Sequence, residues 1–223
     1  MASLSVVKAS GARTGALLSA CVAEHGSAAH PYFSGQRLNE GEDALRNLAD
    51  AIHFLCALHG RHPGVIDHAA GRIADPAARH WLLSAGEAMA VERRHLTRLA
   101  VAAGPMPSTP GCGESEAAVI GQRSALSTLA QSDRKGCALG AALAFALDWS
   151  SVRAVLDHAA RRLGIEIAPC SLGSQAEIHD AADFAAETPS VERAMLFGAQ
   201  QLALQHRGLW DLLEARASAR AAA

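Results

Sequence analysis

The sequence predicts an all-α fold, a helical bundle built from two degenerate three-helix halves. Half of the 223 residues are hydrophobic but only 4% are aromatic, and much of this apolar content is alanine, the best helix former. Apolar residues recur at alternating spacings of three and four, which is the pattern of helices packed in a bundle. A nine-residue segment also recurs in each half of the chain, which indicates an internal duplication.

Two pairs of matching segments support the internal duplication. Residues 65–73 read VIDHAAGRI, and residues 155–163, ninety positions later, read VLDHAARRL, with six identities in nine. Asp-Pro at 75–76 and Thr-Pro at 188–189, which lie 113 positions apart, each combine a helix N-cap residue with proline at the first helical position. The larger offset of the second pair implies an insertion of 23 residues around 164–187.

The predicted helices lie on either side of a linker. Residues 104–113 contain three prolines and three glycines, and neither residue type supports a helix interior. This segment therefore joins the halves 1–103 and 114–223 of a single all-α domain that covers residues 1–223. Helices are predicted at 13–24, 42–73, 76–102, 115–132, 137–163 and 189–217.

Two local features modify this arrangement. Ser174 and Glu177 have the spacing of a capping box, so the insertion carries a short helix of its own. Such an insertion is either a lid or a surface addition, and we expect a surface addition. Gly60 and Pro63 interrupt the long helix at 42–73, because proline removes an intrahelical hydrogen bond. The interruption is either a kink beside a functional site or the boundary between two helices.

The first half carries polar residues where the second carries apolar or neutral ones. His59 and His62 occupy the apolar seam of the second predicted helix, where the repeat has Trp149 and Val152. Glu92 lies in the seam of the third helix, and its counterpart in the last helix is Gln205. We therefore expect the second half to bury hydrocarbon alone.

A hairpin between the second and third helices would bring these polar residues together. If the chain turns near residues 74–76, His59 faces Glu92, and His95 lies one turn beyond Glu92 on the same helix face. The hypothesis is a cluster of His59, His62, Glu92 and His95. Imidazole and carboxylate groups are the usual ligands of a single Fe, Mn or Zn ion. The cluster could instead be a buried His–Glu pair without metal, which is favoured because buried histidines usually satisfy hydrogen bonds, or it could serve acid–base chemistry.

The repeated Asp-His motif is a second candidate site. Asp67 and His68 recur as Asp157 and His158, each followed by an arginine one turn beyond the histidine. One interpretation is a pseudo-symmetric pair of Asp-His motifs that face each other across the bundle. The alternative is a structural network at two helix C-termini, where histidine and arginine complement the helix dipole.

Composition restricts the partners and the location. The net charge of −2 argues against a nucleic-acid partner, because phosphate binding requires a basic surface. Uninterrupted apolar stretches fall short of the roughly 18 residues that a membrane span needs, and the N-terminus lacks the pattern of a signal peptide. The five cysteines form an odd set without C-x-x-C pairs, which predicts reduced thiols in a cytoplasmic protein.

The Glu92-Arg-Arg-His95 motif, placed within duplicated helical hairpins, resembles the ferritin-like carboxylate proteins. The resemblance implies a helix carrying Glu followed by one carrying Glu-x-x-His, twice over, around two metal ions. In this chain the second motif has become Gln205-His-Arg-Gly208. The carboxylate expected on the preceding helix is replaced by His59 in one half and by Trp149 or Ser150 in the other. At most a mononuclear site would remain. Haem-oxygenase-like bundles are a rival fold.

Two functions follow as expectations. In the first, the protein is a non-catalytic or degenerate ferritin-like bundle that acts through self-association, as a homodimer, or through a protein partner. In the second, it is a metal-dependent enzyme, with oxidative chemistry one option, that uses the mononuclear His/Glu site of the first half. The sequence leaves open whether the protein is an enzyme.

Overall fold

The computed structural model describes residues 14–73 and 75–222. Residues 1–13, residue 74 at the predicted turn and residue 223 lie outside the described part of the chain. Within that part every regular element is helical. The elements are α1 (Thr14–His25), a 3-10 turn (Ser27–Ala29), α2 (Pro31–Ser34), α3 (Gln36–Asn39), α4 (Ala44–His59), α5 (Val65–Ala70), α6 (Pro76–Ala103), α7 (Cys112–Ala130), α8 (Cys137–Leu163), α9 (Gln175–Ala185) and α10 (Pro189–Ala221).

The predicted helix starts are confirmed at the two Pro-initiated helices. The Asp75 carboxylate accepts a hydrogen bond of 2.8 Å from the backbone nitrogen of Ala78 at the start of α6. The Thr188 hydroxyl accepts one of 3.3 Å from the nitrogen of Val191 at the start of α10. Each side chain satisfies a donor that the first helical turn leaves unpaired.

The predicted long helix over 42–73 is two helices. α4 ends at His59 and α5 begins at Val65, so Gly60 and Pro63 mark a boundary and not a kink. The segment that the predicted duplication would align with this part of the chain forms one uninterrupted helix, α8. The three short helical elements between α1 and α4 were not predicted, because three or four residues are too few to show a helical period.

The insertion helix α9 is part of the packed bundle. Ser174 and Glu177 form the predicted capping box. The helix contacts α1, α6 and α8, and Ile178 and Ala182 are fully or almost fully buried. The expectation of a surface addition is therefore wrong, because α9 covers apolar surface that the other helices would leave exposed.

Helix α8 is the centre of the bundle. Eighteen of its 27 residues are buried, and it contacts helices from both predicted halves. Its most apolar 18-residue window has a mean hydropathy of 1.4, and 78% of that window is buried inside the protein. α8 is thus the one described helix that is long and apolar enough to cross a membrane, although a core helix passes the same test.

Helices α8 and α10 approach each other closely at two glycines. A Cβ atom on Gly140 would lie 2.0 Å from the carbonyl oxygen of Met195, and one on Gly198 would lie 2.1 Å from the carbonyl oxygen of Cys137. Both obstacles are backbone atoms, which cannot move aside without separating the helices. The close contact between these two helices therefore requires glycine at both positions.

Replacing Gly140 with alanine should destabilise the protein by about 2 kcal/mol, because overpacking outweighs the gain in helix propensity. The matched control is Gly121→Ala on α7, where an added Cβ meets nothing within 4 Å. The control should be stabilising by about 1 kcal/mol. Denaturant unfolding followed by circular dichroism measures both, and equal effects of the two variants would contradict the proposed close contact.

Candidate functional site

A buried ionic network joins α6 to α8. The Glu92 carboxylate, on a residue only 2% exposed, accepts a hydrogen bond of 2.9 Å from the Trp149 indole and one of 2.7 Å from Arg153. Arg153 also donates to Asp157 at 2.7 Å and to the carbonyl oxygen of Ala168. Both oxygens of Glu92 are thus engaged by the same neighbouring helix, which satisfies a charge that would otherwise be costly to bury.

A second buried group centres on Asp148 of α8. His206 of α10 donates from Nδ1 to this carboxylate at 2.6 Å. The backbone nitrogen and the hydroxyl of Ser27 donate to it at 2.8 and 2.5 Å. Burial alone would raise the pKa of Asp148, but the hydrogen bonds from His206 and Ser27 outweigh it and hold the pKa below its ordinary value.

His59 lies between these two groups, at the C-terminal end of α4. Its ring centroid is 4.9 Å from that of His206, 5.0 Å from Phe145 and 5.7 Å from Trp149, all in edge-to-face contacts. Burial, followed by the positive charges of His206 and Arg93, lowers the pKa of His59 well below its ordinary value. The imidazole is therefore neutral, and its buried Nε2 has no hydrogen-bond partner.

The structure does not bring the four predicted metal ligands into one group. His59 and Glu92 both contact Trp149, one through the ring and the other through the indole N–H. His62, however, has a side chain 70% exposed and lies 3.6 Å from Asp67. Among residues 14–73 and 75–222, no group of three or more His, Cys, Asp or Glu side chains is arranged to hold a metal ion.

The fourth predicted ligand, His95, is buried without a partner. It is 3% exposed, and neither ring nitrogen has a hydrogen-bond partner. Burial, together with the positive charge of Arg153, lowers the pKa of His95, although Glu92 opposes that shift. His95 is therefore neutral at physiological pH.

The two Asp-His motifs have separate structural partners. Asp67 accepts hydrogen bonds from Arg93 and from the backbone nitrogen of Gly64, which caps α5. His68 lies 3.5 Å from the hydroxyl of Ser127 on α7. In the second motif, Asp157 binds Arg153, and the Nε2 of His158 lies 3.2 Å from the backbone oxygen of Asn39. The histidines thus contact different neighbours, and each aspartate orients an arginine of the buried core.

The expectation that the second half buries only hydrocarbon is wrong. Asp148, Arg153 and His206 are 1%, 4% and 2% exposed, and none of them was predicted to be a buried polar residue. Asp148 and Arg153 lie next to the apolar seam of α8 and not within it. Helix α8 is apolar on more than one face, and this pattern predicts a helix that is buried on all sides. It could therefore have indicated that these polar residues are buried.

A further ionic cluster lies between α4 and α10. Asp50 is fully buried and accepts two hydrogen bonds of 3.0 Å from Arg216. Arg220 donates to the same carboxylate and to the hydroxyl of Thr109 in the linker. This paired geometry is the strong form of the arginine–carboxylate interaction, and it fixes the C-terminal part of α10 against the first half.

Replacing Glu92 with glutamine should destabilise the protein by about 3 kcal/mol, because the Arg153 guanidinium would lose a buried counter-charge. The matched control is Glu187→Gln, which removes the acid of an exposed ion pair with Lys135 and should cost less than about 1 kcal/mol. Urea unfolding measures both. A Glu92→Gln protein as stable as the control would show that Arg153 does not need this charge.

The free energy of unfolding should fall as the pH is lowered from about 7 to 5. In the unfolded chain His59 binds a proton near the ordinary pKa of about 6.5, whereas in the folded protein it stays neutral. Lowering the pH therefore favours the unfolded state, by up to about 1.4 kcal/mol per pH unit for each histidine that is kept neutral by folding. His59→Leu should reduce this slope. An unchanged slope in His59→Leu would contradict the neutral state of His59.

Comparison with known proteins identifies a family but no characterised relative. No curated protein and no solved structure matches the chain significantly. The match to a family covers residues 22–221 and therefore includes every residue of the buried networks described above. The chain belongs to DUF6975, a family of unknown function.

Proposed function

We propose that this protein is a non-catalytic helical bundle, a degenerate ferritin-like protein that acts through self-association or through binding another protein. The proposal rests on the hydrogen bonds of Glu92. Its two oxygens accept hydrogen bonds from Trp149 and Arg153, so the acid of the Glu-x-x-His motif serves to join two helices. The same proposal includes a ferritin-like arrangement of the helices, with a haem-oxygenase-like arrangement as its rival. It also includes a cytoplasmic location.

An apolar groove supplies a surface for self-association. It has a volume of about 190 Å³ and lies where α4, α6 and α8 meet. We call it the apolar groove, and it is lined by Leu45, Leu48, Ala49, Ile52, Ala103, Ala159 and Leu163. Leu45 is 50% exposed. A groove lined only by apolar residues favours apolar side chains of a partner, and a homodimer is the partner that the proposal names.

The alternative is a metal-dependent enzyme with one Fe, Mn or Zn ion in the first half. It has less support, because Glu92 is already held by Arg153 and the other three expected ligands are not grouped with it among the described residues. Elemental analysis of the purified protein separates the two functions. A near-stoichiometric metal content that Glu92→Gln abolishes would favour the enzyme.

The protein should sediment as a dimer at micromolar concentration, and Leu45→Glu should convert it to a monomer. A carboxylate at the edge of the apolar groove would have to be desolvated on association, which is costly without a partner charge. The matched control is Leu83→Glu, a similarly exposed leucine of α6 (53%) outside the groove. Analytical ultracentrifugation measures both variants.

The control outcome determines where a partner binds. A Leu83→Glu protein that remains dimeric, beside a monomeric Leu45→Glu protein, supports association through the groove. A wild-type protein that is monomeric at all concentrations contradicts self-association.

A further inference from the structure

A thiol lies at the edge of the ionic cluster between α4 and α10. Cys112 is the first residue of α7, and the residue before it, Gly111, caps that helix without a side-chain hydrogen bond. Cys112 is half-buried, and its Sγ lies 3.8 Å from the Sδ of Met106 in the linker. The N-terminal end of a helix carries partial positive charge, which favours the thiolate form of a cysteine.

The Arg216 guanidinium also acts on this thiol. Arg216 is 2% exposed, and its Nε and Nη2 each donate a hydrogen bond of 3.0 Å to Asp50. Burial alone would lower the pKa of Arg216, but the interactions with Asp50 and with Cys112 outweigh it and raise that pKa. The third nitrogen, Nη1, is buried and has no hydrogen-bond partner among the described residues. A negatively charged sulfur beside this nitrogen would supply the acceptor that it lacks.

The cluster next to the thiol holds more cations than anions. Arg216 and Arg220 both pair with the single carboxylate of Asp50. Their other hydrogen-bond partners are neutral groups of Asn47, Pro107 and Thr109. One positive charge is therefore unmatched within this cluster, and its burial leaves it weakly screened by water.

Two acids on α7 oppose this positive charge. The Oε1 of Glu116 lies 3.6 Å from the Sγ of Cys112, and Glu114 lies in the first turn of the helix. Both glutamates are exposed, so water screens their charges more strongly than that of the buried Arg216. Charge for charge, the buried cation therefore acts on the sulfur more strongly than either exposed acid.

The other four thiols lie in less favourable surroundings. Burial raises the pKa of Cys21, Cys56 and Cys170, and Cys137 is buried. Cys170 offers the sharpest comparison, because it is exposed whereas Cys112 is half-buried. Access alone therefore favours reaction at Cys170, and the charge around the sulfur favours reaction at Cys112.

We propose that Cys112 is a modification site that reacts with low-molecular-weight disulfides. The Cys112 thiolate attacks one sulfur of a disulfide R–S–S–R, whose S–S bond breaks. A new S–S bond joins Cys112 to one R–S group, and the other R–S group leaves as a thiolate that takes up a proton. The Cys112 sulfur is oxidised and the leaving sulfur is reduced, so the disulfide is the only oxidant required. The site goes beyond the proposed role in association, and it holds whether or not the chain forms a dimer.

The test is the reaction of the reduced full chain with 4,4′-dithiodipyridine, a neutral disulfide, near neutral pH, followed by the absorbance of the released thiopyridone. We expect one thiol per chain to react about tenfold faster than the other four. Cys112→Ser should abolish this fast phase. The matched control is Cys170→Ser, which removes the more exposed thiol and should leave the fast phase intact.

A second variant tests the effect of charge at the sulfur. Glu116→Gln removes the acid that contacts the Cys112 thiol, so the fast phase should become about twofold faster, as expected for the loss of one exposed charge. Because Glu116 is exposed, this replacement leaves the buried cluster intact. A fast phase that survives in Cys112→Ser, or five thiols that react at similar rates, would overturn the proposal.

Discussion

The buried ion pair between Glu92 and Arg153 is the interaction on which the arrangement of the bundle depends. Its two side chains are 2% and 5% exposed, so neither charge can be left to water, and each requires the other. The Trp149 indole donates a further hydrogen bond to Glu92, and Arg153 donates one to Asp157. Because a buried pair with a missing partner is strongly destabilising, this contact ties the rotation of α8 about its axis to that of α6.

Near the centre of the protein, one neutral histidine lies between two side chains that are each paired with a carboxylate. Arg93 pairs with Asp67, and His206 pairs with Asp148. Arg93 and His206 are 113 positions apart, which is the offset that the sequence predicts for the last helices of the two halves. His59 lies near both groups, and its burial, followed by their positive charge, lowers its pKa well below the ordinary value. The internal duplication, which remains a prediction, would account for this symmetric placement of charge.

Most of the helices could be predicted because their signals are local. Asp75 and Thr188, each followed by proline, specify where α6 and α10 begin, and glycines on both sides of α8 specify its ends. The break after His59 could be located but not interpreted, because Gly60 and Pro63 are compatible with a kink or with two helices. The packing of α9 could not be predicted, since it depends on surface that only the assembled bundle presents.

The sequence by itself determined that His59, Glu92 and His95 lie on inward helix faces, because apolar periodicity identifies one inward face of a helix. The same periodicity placed His62 on that face, where the structure leaves it exposed. Only the tertiary structure decided the partners of these residues. Glu92 pairs with Arg153, 61 positions away. His59 contacts His206, whereas His62 lies beside Asp67. Periodicity defines a face within one helix, whereas contacts between helices depend on their relative rotation and order, which are set by the packing of the whole chain.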